Sequence, residues 1–229
     1  MNGLANVSII MPVFNEKKTL ENVLEKIISL KPKEIIIVDD GSMDGTVDIL
    51  KNLKRNGSLI KIYFHEKNQG KGTAIRTALK HVTGDIVTIQ DADLEYDPGE
   101  LINLAKPIAE KKADVVYGSR FLKNDKKVIY LRYRLGNWFL SSLISLLFLK
   151  KITDSYTCYK VFRTDVIKGI ELKSKRFEIE AELTVKTLKK GIKILELPIN
   201  YNPRRLEEGK KIGWMDGIKG ILTILRYSL

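Results

Sequence analysis

The chain has 229 residues, 44% of them hydrophobic, and carries 40 Lys and Arg against 28 Asp and Glu, a net charge of +12. That length and apolar content suit one core, and the single cysteine, Cys158, excludes an internal disulfide framework and favours a reducing compartment. The positive surplus favours anionic partners (nucleic acid, anionic lipid or phosphorylated substrates) and gathers at 123–134, 150–151 and 204–211.

No secretory signal opens the chain: Met1 to Asn6 carries no charged n-region, and the apolar run after it is broken by Pro12. Val7–Val13 is β-branched and apolar, so a buried strand. Lys17–Leu30 places Leu20, Val23, Leu24, Ile27 and Ile28 at helical spacing. Glu34–Asp39 is a second buried strand and Thr46–Leu53 a helix. Ile60–Phe64, Thr73–His81 and Asp85–Ile89 continue as strand, helix and strand. Asp97-Pro98 caps and starts a helix to about Lys111, and Val115–Tyr117 is a further strand. Apolar strands alternating with helices predict a mostly parallel sheet covered on both faces.

The second half is less regular. Leu135–Leu149 is rich in Leu, Ile, Phe and Trp, yet its serines, Gly136 and Asn137 interrupt it, and it falls short of the ~20 apolar residues that a span requires. It suits a core helix or a helix lying on a membrane surface. Tyr130, Tyr133, Trp138, Phe139 and Phe148 interleave with Arg132, Arg134, Lys150 and Lys151, as at a lipid interface. Glu178–Lys190 is helical, Ile192–Tyr201 a strand, and Gly213–Tyr227 a last amphipathic helix. One domain, 1–229, is expected, with 128–150 and 213–229 as candidate membrane-interface helices.

Open parallel sheets bind ligands beyond the carboxyl ends of their strands, and the polar motifs fall there. Asp91-Ala92-Asp93 sets two carboxylates at a strand end, a hard oxygen site for Mg²⁺ or Mn²⁺, with Glu95 a further oxygen. The blander reading is a turn capped by its own aspartates. Asp40, in Asp39-Asp40-Gly41-Ser42, can meet a base or ribose, or cap a turn. In Pro12-Val13-Phe14-Asn15-Glu16, Phe14 can pack on a base and Glu16 contact the nucleoside. Asn68-Gln69-Gly70-Lys71-Gly72 resembles a phosphate-cradling turn but lacks the full P-loop pattern, and Lys71 is a diphosphate or base contact.

Those four motifs, in this order and spacing, resemble the family 2 glycosyltransferases. Tyr117-Gly118-Ser119-Arg120-Phe121, and Glu196-Leu197-Pro198-Ile199 followed by Arg204 and Lys211, resemble the dolichyl-phosphate mannose and glucose synthase branch. The resemblance covers nearly the whole chain. It implies a GT-A, Rossmann-like α/β fold and an inverting transfer of a hexose from a UDP- or GDP-sugar to a polyprenyl phosphate. Pro12, Phe14, Glu16, Val38 and Asp40 would line the nucleoside pocket. Asp91, Ala92 and Asp93 would sit at the diphosphate, with Asp93, Glu95 and Asp91 at the metal. Arg120, with Arg132 or Arg134, would meet the acceptor phosphate. Arg204 and Lys211 would belong to a loop closing over the donor. Where the branch often has Gln, this chain has Glu95, which adds a charge.

The resemblance further implies work at a membrane surface, on the cytoplasmic side. Many relatives carry carboxy-terminal transmembrane helices or borrow them from a partner. None is read here, so attachment is expected through 128–149, the last helix, an anchoring subunit or self-association. A transferase acting on a sugar hydroxyl stays open, with Glu178, Glu180 or Glu182 as base. Nucleic acid is not an expected partner, since no binding module is present.

Overall fold

The computed structural model describes residues 4–53, 59–123, 131–204 and 213–228. Lys211 and Tyr130 lie outside the described residues. Seven strands form one sheet: β1 (Val7–Val13), β2 (Glu34–Asp39), β3 (Ile60–Phe64), β4 (Ile86–Ile89), β5 (Val115–Ser119), β6 (Lys160–Arg163) and β7 (Ile194–Pro198). Their order across the sheet is β3-β2-β1-β4-β6-β5-β7. All pairs are parallel except those of β6, which runs antiparallel to both β4 and β5.

The helices are α1 (Leu20–Ser29), α2 (Thr46–Leu53), α3 (Lys71–Leu79), α4 (Glu100–Ala109), α5 (Leu131–Phe148), α6 (Thr164–Lys168), α7 (Ile179–Lys189) and α8 (Trp214–Ser228). The spacing in α1 turns Leu20, Val23, Leu24 and Ile27 inward. Strands β1 and β2 carry the continuous apolar run of doubly covered strands, and Ile9, Ile10, Ile35, Ile36 and Ile37 are fully buried. A second, smaller core, with Leu140, Ile144, Val185 and Ile224 at its centre, joins α5, α7 and α8.

Every element predicted from the sequence is present, with bounds shifted by a few residues. Helix α4 starts at Glu100; Asp97 makes a local turn, accepting from the Gly99 amide at 3.2 Å, and does not cap the helix by its side chain. Two elements were not read: β6 and α6. Strand β6 has four residues, and its apolar Val161 and Phe162 are bracketed by Lys160 and Arg163, which weakens the strand pattern.

The reversal at β6 matters for function. The carboxyl ends of β1, β2, β4, β5 and β7 and the amino end of β6 share one rim. The segments after those strands, and the Thr157–Lys160 stretch, therefore converge there.

Candidate active site

That rim encloses a cavity of about 990 Å³. Segment 12–16, after β1, brings Pro12, Phe14 and Glu16, and the turn after β2 brings Asp40. Lys71 enters from the first turn of α3, and Asp91, Ala92, Asp93 and Glu95 follow β4. Arg120 follows β5, and Arg204 follows β7. Helix α5 supplies Arg132, Tyr133, Gly136 and Asn137, and α8 supplies Asp216 and Gly217.

Two expected residues are elsewhere. Val38 is fully buried in β2, paired with Pro12 and Tyr63, and does not line the cavity. Arg134 is exposed on α5 and is not in the cavity wall, so of the two arginines considered there only Arg132 is.

The 68–72 turn also differs from a phosphate cradle. The amides of Gln69 and Gly70 donate to the Asp40 carboxylate at 2.9 and 2.7 Å, and His65 Nδ1 lies 2.7 Å from it. Those amides bind a carboxylate of the chain itself. Gly70 has φ +97°, and a Cβ there would come 2.4 Å from the Lys175 carbonyl oxygen, so only glycine fits. The turn thus fixes Asp40 and starts α3 with Lys71 at the cavity.

Charges alternate along the rim. Lys71 Nζ lies 2.8 Å from Asp91 Oδ1 and 3.0 Å from Glu180 Oε1. Burial opposes its charge, but Asp91 and Glu180 outweigh this and hold the ammonium well above its usual range. Arg204 Nη2 lies 2.7 Å from Asp93 Oδ2, with Glu16 at 3.3 Å and Glu95 at 3.6 Å from the same guanidinium. Burial, then Asp91 and Glu95, push the Asp93 carboxyl up to about 7, against the pull of Arg204. Glu95 also accepts from Tyr201 Oη at 2.7 Å and from the Arg204 amide at 3.0 Å.

This donor set fits a hard divalent cation. Four carboxylates face one region with more negative charge than their neighbours compensate, and a cationic side chain already stands among three of them. Among the described residues, no three His, Cys, Asp or Glu side chains converge closely enough to cage an ion alone. One or two carboxylates with ligand phosphate oxygens and water is the usual arrangement for Mg²⁺.

Arg120, also in the cavity lining, is clamped by the fully buried Asp154 through Nε and Nη2, both at 2.7 Å. Burial opposes its charge, and Asp154 restores it. Its guanidinium lies 5.1 Å from the Tyr201 ring centroid. Sequence reasoning missed Asp154, Tyr96, Tyr201 and the position of Glu180. Each sits in an irregular stretch or on a helix whose inner face is polar, so no periodicity marked it. The run of acidic residues at 178–182 was the available signal for Glu180.

Residues 8–170 match the sequence profile of glycosyl transferase family 2. The UDP-N-acetylglucosamine–dolichyl-phosphate N-acetylglucosaminyltransferase of Methanococcus voltae is 32% identical over 97% of this chain and 96% of its own length. The dolichol-phosphate mannosyltransferase of Pyrococcus furiosus is 29% identical over 96% of this chain, which spans 62% of that protein. Among solved structures, glucosyl-3-phosphoglycerate synthase from Mycobacterium tuberculosis, in complex with Mn²⁺, UDP and glucosyl-3-phosphoglycerate, superposes with a TM-score of 0.74 at 20% identity, covering 97% of this chain and 80% of that one. At that identity the likeness carries the fold alone, and it bears out the GT-A architecture.

Proposed function

The chain belongs to glycosyl transferase family 2, and on that premise we propose that it moves a hexose from a nucleoside diphosphate sugar to a polyprenyl phosphate, inverting the anomeric carbon. The observation that carries this reading is what the one cavity brings together. Carboxylates suited to a cation line it with Arg120 and Arg132, and among the described residues none of Glu178, Glu180 and Glu182 stands in it without a partner.

The last point separates the two acceptor classes. Glu178 accepts from the Lys175 and Arg176 amides, both at 3.2 Å. Glu182 is held by Lys186 and by the Lys173 and Ser174 amides. Glu180 is held by two ammonium groups. A sugar hydroxyl needs a base, whereas a phosphate monoester with a second pKa near 6 is already nucleophilic at neutral pH.

In this reading Pro12, Phe14 and Asp40 line the nucleoside end. Lys71, Asp91, Ala92 and Asp93 face the diphosphate, and Arg204 approaches it from the segment after β7. Asp93, Glu95 and Asp91 are the residues that would hold Mg²⁺ or Mn²⁺, which would neutralise charge on the departing diphosphate. Arg120 holds the acceptor phosphate against the anomeric carbon. The phosphate oxygen bonds that carbon as the bond to the diphosphate breaks, and the electron pair leaves with the diphosphate. Positioning and charge stabilisation carry the step. The relation to the Methanococcus voltae protein favours a UDP-sugar.

The lipid acceptor implies a membrane surface, and peripheral attachment at its cytoplasmic face is part of the proposal. Among the described residues no helix is long and apolar enough to cross a membrane. Helix α5 instead has a partly inverted polarity: Asn137 and Ser141 are buried, while Leu131, Leu135, Trp138 and Leu146 are exposed. Helix α8 exposes Met215, Ile218, Leu222 and Leu225. Apolar faces of this extent mark interaction surfaces, and both helices also line the cavity, so a lipid phosphate could reach Arg120 from that side.

The test is a reaction with a panel of nucleotide sugars, Mn²⁺ or Mg²⁺, and a polyprenyl phosphate, reading sugar incorporation into the organic phase. Incorporation that is lost in Asp93→Ala is expected. Transfer to a free sugar and none to the lipid phosphate would overturn the acceptor, and full turnover in Asp93→Ala would overturn the metal role.

A further inference from the structure

Four charged side chains alternate in sign from the sheet interior to the cavity. Lys160, the first residue of β6, is fully buried at 0% exposure, and its ammonium donates to the Thr157 carbonyl oxygen at 2.5 Å and to Glu180 Oε2. The other carboxylate oxygen of Glu180 lies 3.0 Å from Lys71 Nζ, and Lys71 reaches Asp91 at 2.8 Å. The order is Lys160, Glu180, Lys71, Asp91; the last three line the cavity, and Lys160 stands behind them.

Stability does not account for the inner pair. Burying two ions costs desolvation that their attraction often fails to recover, and apolar residues of similar volume usually serve the fold as well or better. The surroundings would have suited such residues: Lys160 sits over the Tyr117 ring at 5.0 Å, in a strand whose next two residues are fully buried Val161 and Phe162. What the pair does accomplish is geometric. Glu180 stands on a rigid helix, and with Lys160 on one oxygen its second oxygen has a fixed direction, toward Lys71.

We infer that Glu180, oriented by its contact with Lys160, is a positioning residue that fixes the Lys71 ammonium beside Asp91, where it meets the diphosphate of the donor. Without Glu180, Lys71 would fold wholly onto Asp91 and be lost to the phosphates. The inference rests on the proposed donor placement. Lys160 acts one step further back: burial disfavours its charge, and Glu180 is the group that opposes this loss.

A double-mutant cycle tests it, because a residue acting through another adds nothing once that other is gone. UDP binding in the presence of Mn²⁺ is measured by calorimetry for the full chain, Lys71→Ala, Glu180→Gln and the double variant, with thermal unfolding alongside. Lys71→Ala and Glu180→Gln are each expected to weaken UDP by about tenfold or more, the worth of one hydrogen bond to a charged group. The double variant is expected to match Lys71→Ala alone.

Weakening in the double variant equal to the product of the two single effects would overturn the inference, as would wild-type UDP binding in Glu180→Gln. Unchanged binding in Lys71→Ala would instead remove the donor placement on which it rests. Should Glu180→Gln unfold, the cycle is run with Lys160→Met added, which removes both inner charges together and leaves no unpaired buried ion.

Discussion

Arg204 Nη2 stands 2.7 Å from Asp93 Oδ2, and the same guanidinium reaches Glu16 at 3.3 Å. The chain thus supplies its own cation at the place where the donor's cation is expected. A divalent ion must compete with it, and a nucleotide diphosphate offers the arginine a new anionic partner. Arg204→Ala is therefore expected to raise Mn²⁺ affinity in the absence of nucleotide by about tenfold, the order of one charged contact, while weakening UDP in the presence of Mn²⁺. Manganese titration followed by electron paramagnetic resonance reads both. Unchanged or weaker Mn²⁺ binding by Arg204→Ala would show that the two cations do not share the carboxylates.

Arg120 and Asp154 form a pair in which the carboxylate is fully buried. Removing the arginine alone leaves that charge unpaired, at about 3–5 kcal/mol of stability. Arg120→Ala is thus expected to lose stability as well as acceptor use, which would confuse the two. Arg120→Ala combined with Asp154→Asn removes both charges. The double variant should recover most of the lost stability, yet keep a raised KM for the lipid phosphate with the donor KM close to wild type. Recovery of both would reduce Arg120 to a structural role.

The contrast between the two halves of the chain is physical. Strands β1 and β2 are buried on both faces, so their apolar runs were unambiguous, and the acidic residues just beyond them were placed on one rim by the parallel topology alone. Strand β6 escaped because only two of its four residues are apolar. With it went the antiparallel reversal that delivers Lys160 to the rim. Arg120 was found from its motif, but its partner Asp154 lies in a stretch without helical or strand periodicity. Asp40 was read as a ligand contact, and it does line the cavity, but three contacts to His65, Gln69 and Gly70 make it the anchor of the next turn as well. Sequence shows which residue types are present near a site; it does not show which of their bonds are already taken.

Glu34 gives the fold a pH dependence away from the cavity. Burial alone would raise its carboxyl, but Lys61, Ser8 and Thr83 outweigh burial and draw it down to about 2. A carboxyl whose pKa is lower in the folded chain stabilises it above the ordinary value and loses that contribution as pH falls toward the folded value. Stability should accordingly fall between about pH 4.5 and pH 2, by at most about 3 kcal/mol from this group. Urea titrations across that range should show a shallower acid loss in Glu34→Gln than in the wild type. Equal slopes would assign the acid sensitivity to other carboxylates.

Gly70 joins the turn to the chemistry. Its φ of +97° and the 2.4 Å approach of a Cβ to the Lys175 carbonyl oxygen mean that Gly70→Ala must move backbone on both sides. The cost is expected at about 1–3 kcal/mol from the backbone conformation alone. Because the same amide donates to Asp40 and the next residue is Lys71, UDP affinity should fall with stability. Gly99→Ala offers the control: its φ is −58°, a Cβ there meets only Asp97 side-chain atoms at 3.6 Å or more, and it lies outside the cavity lining. Denaturant unfolding and UDP calorimetry on both variants separate backbone strain from a general intolerance of glycine replacement.

Trp138 and Leu146 are 65% and 72% exposed on α5, three and two residues from the buried Ser141 and Ile144 that face the core. An exposed apolar side chain contributes little to folding, so replacing it with a charge should leave thermal unfolding close to wild type. At a lipid surface the same change removes buried area worth roughly 25 cal/mol per Å² and adds repulsion from anionic headgroups when the new charge is negative. Trp138→Glu with Leu146→Glu should therefore abolish flotation with vesicles containing anionic lipid while the wild type floats. Turnover on a lipid phosphate held in those vesicles should fall with it, whereas turnover on a short-chain, water-soluble polyprenyl phosphate should not. Loss on both acceptors would point to damage at the cavity wall, and flotation of the double variant at the wild-type level would leave α5 without a membrane role.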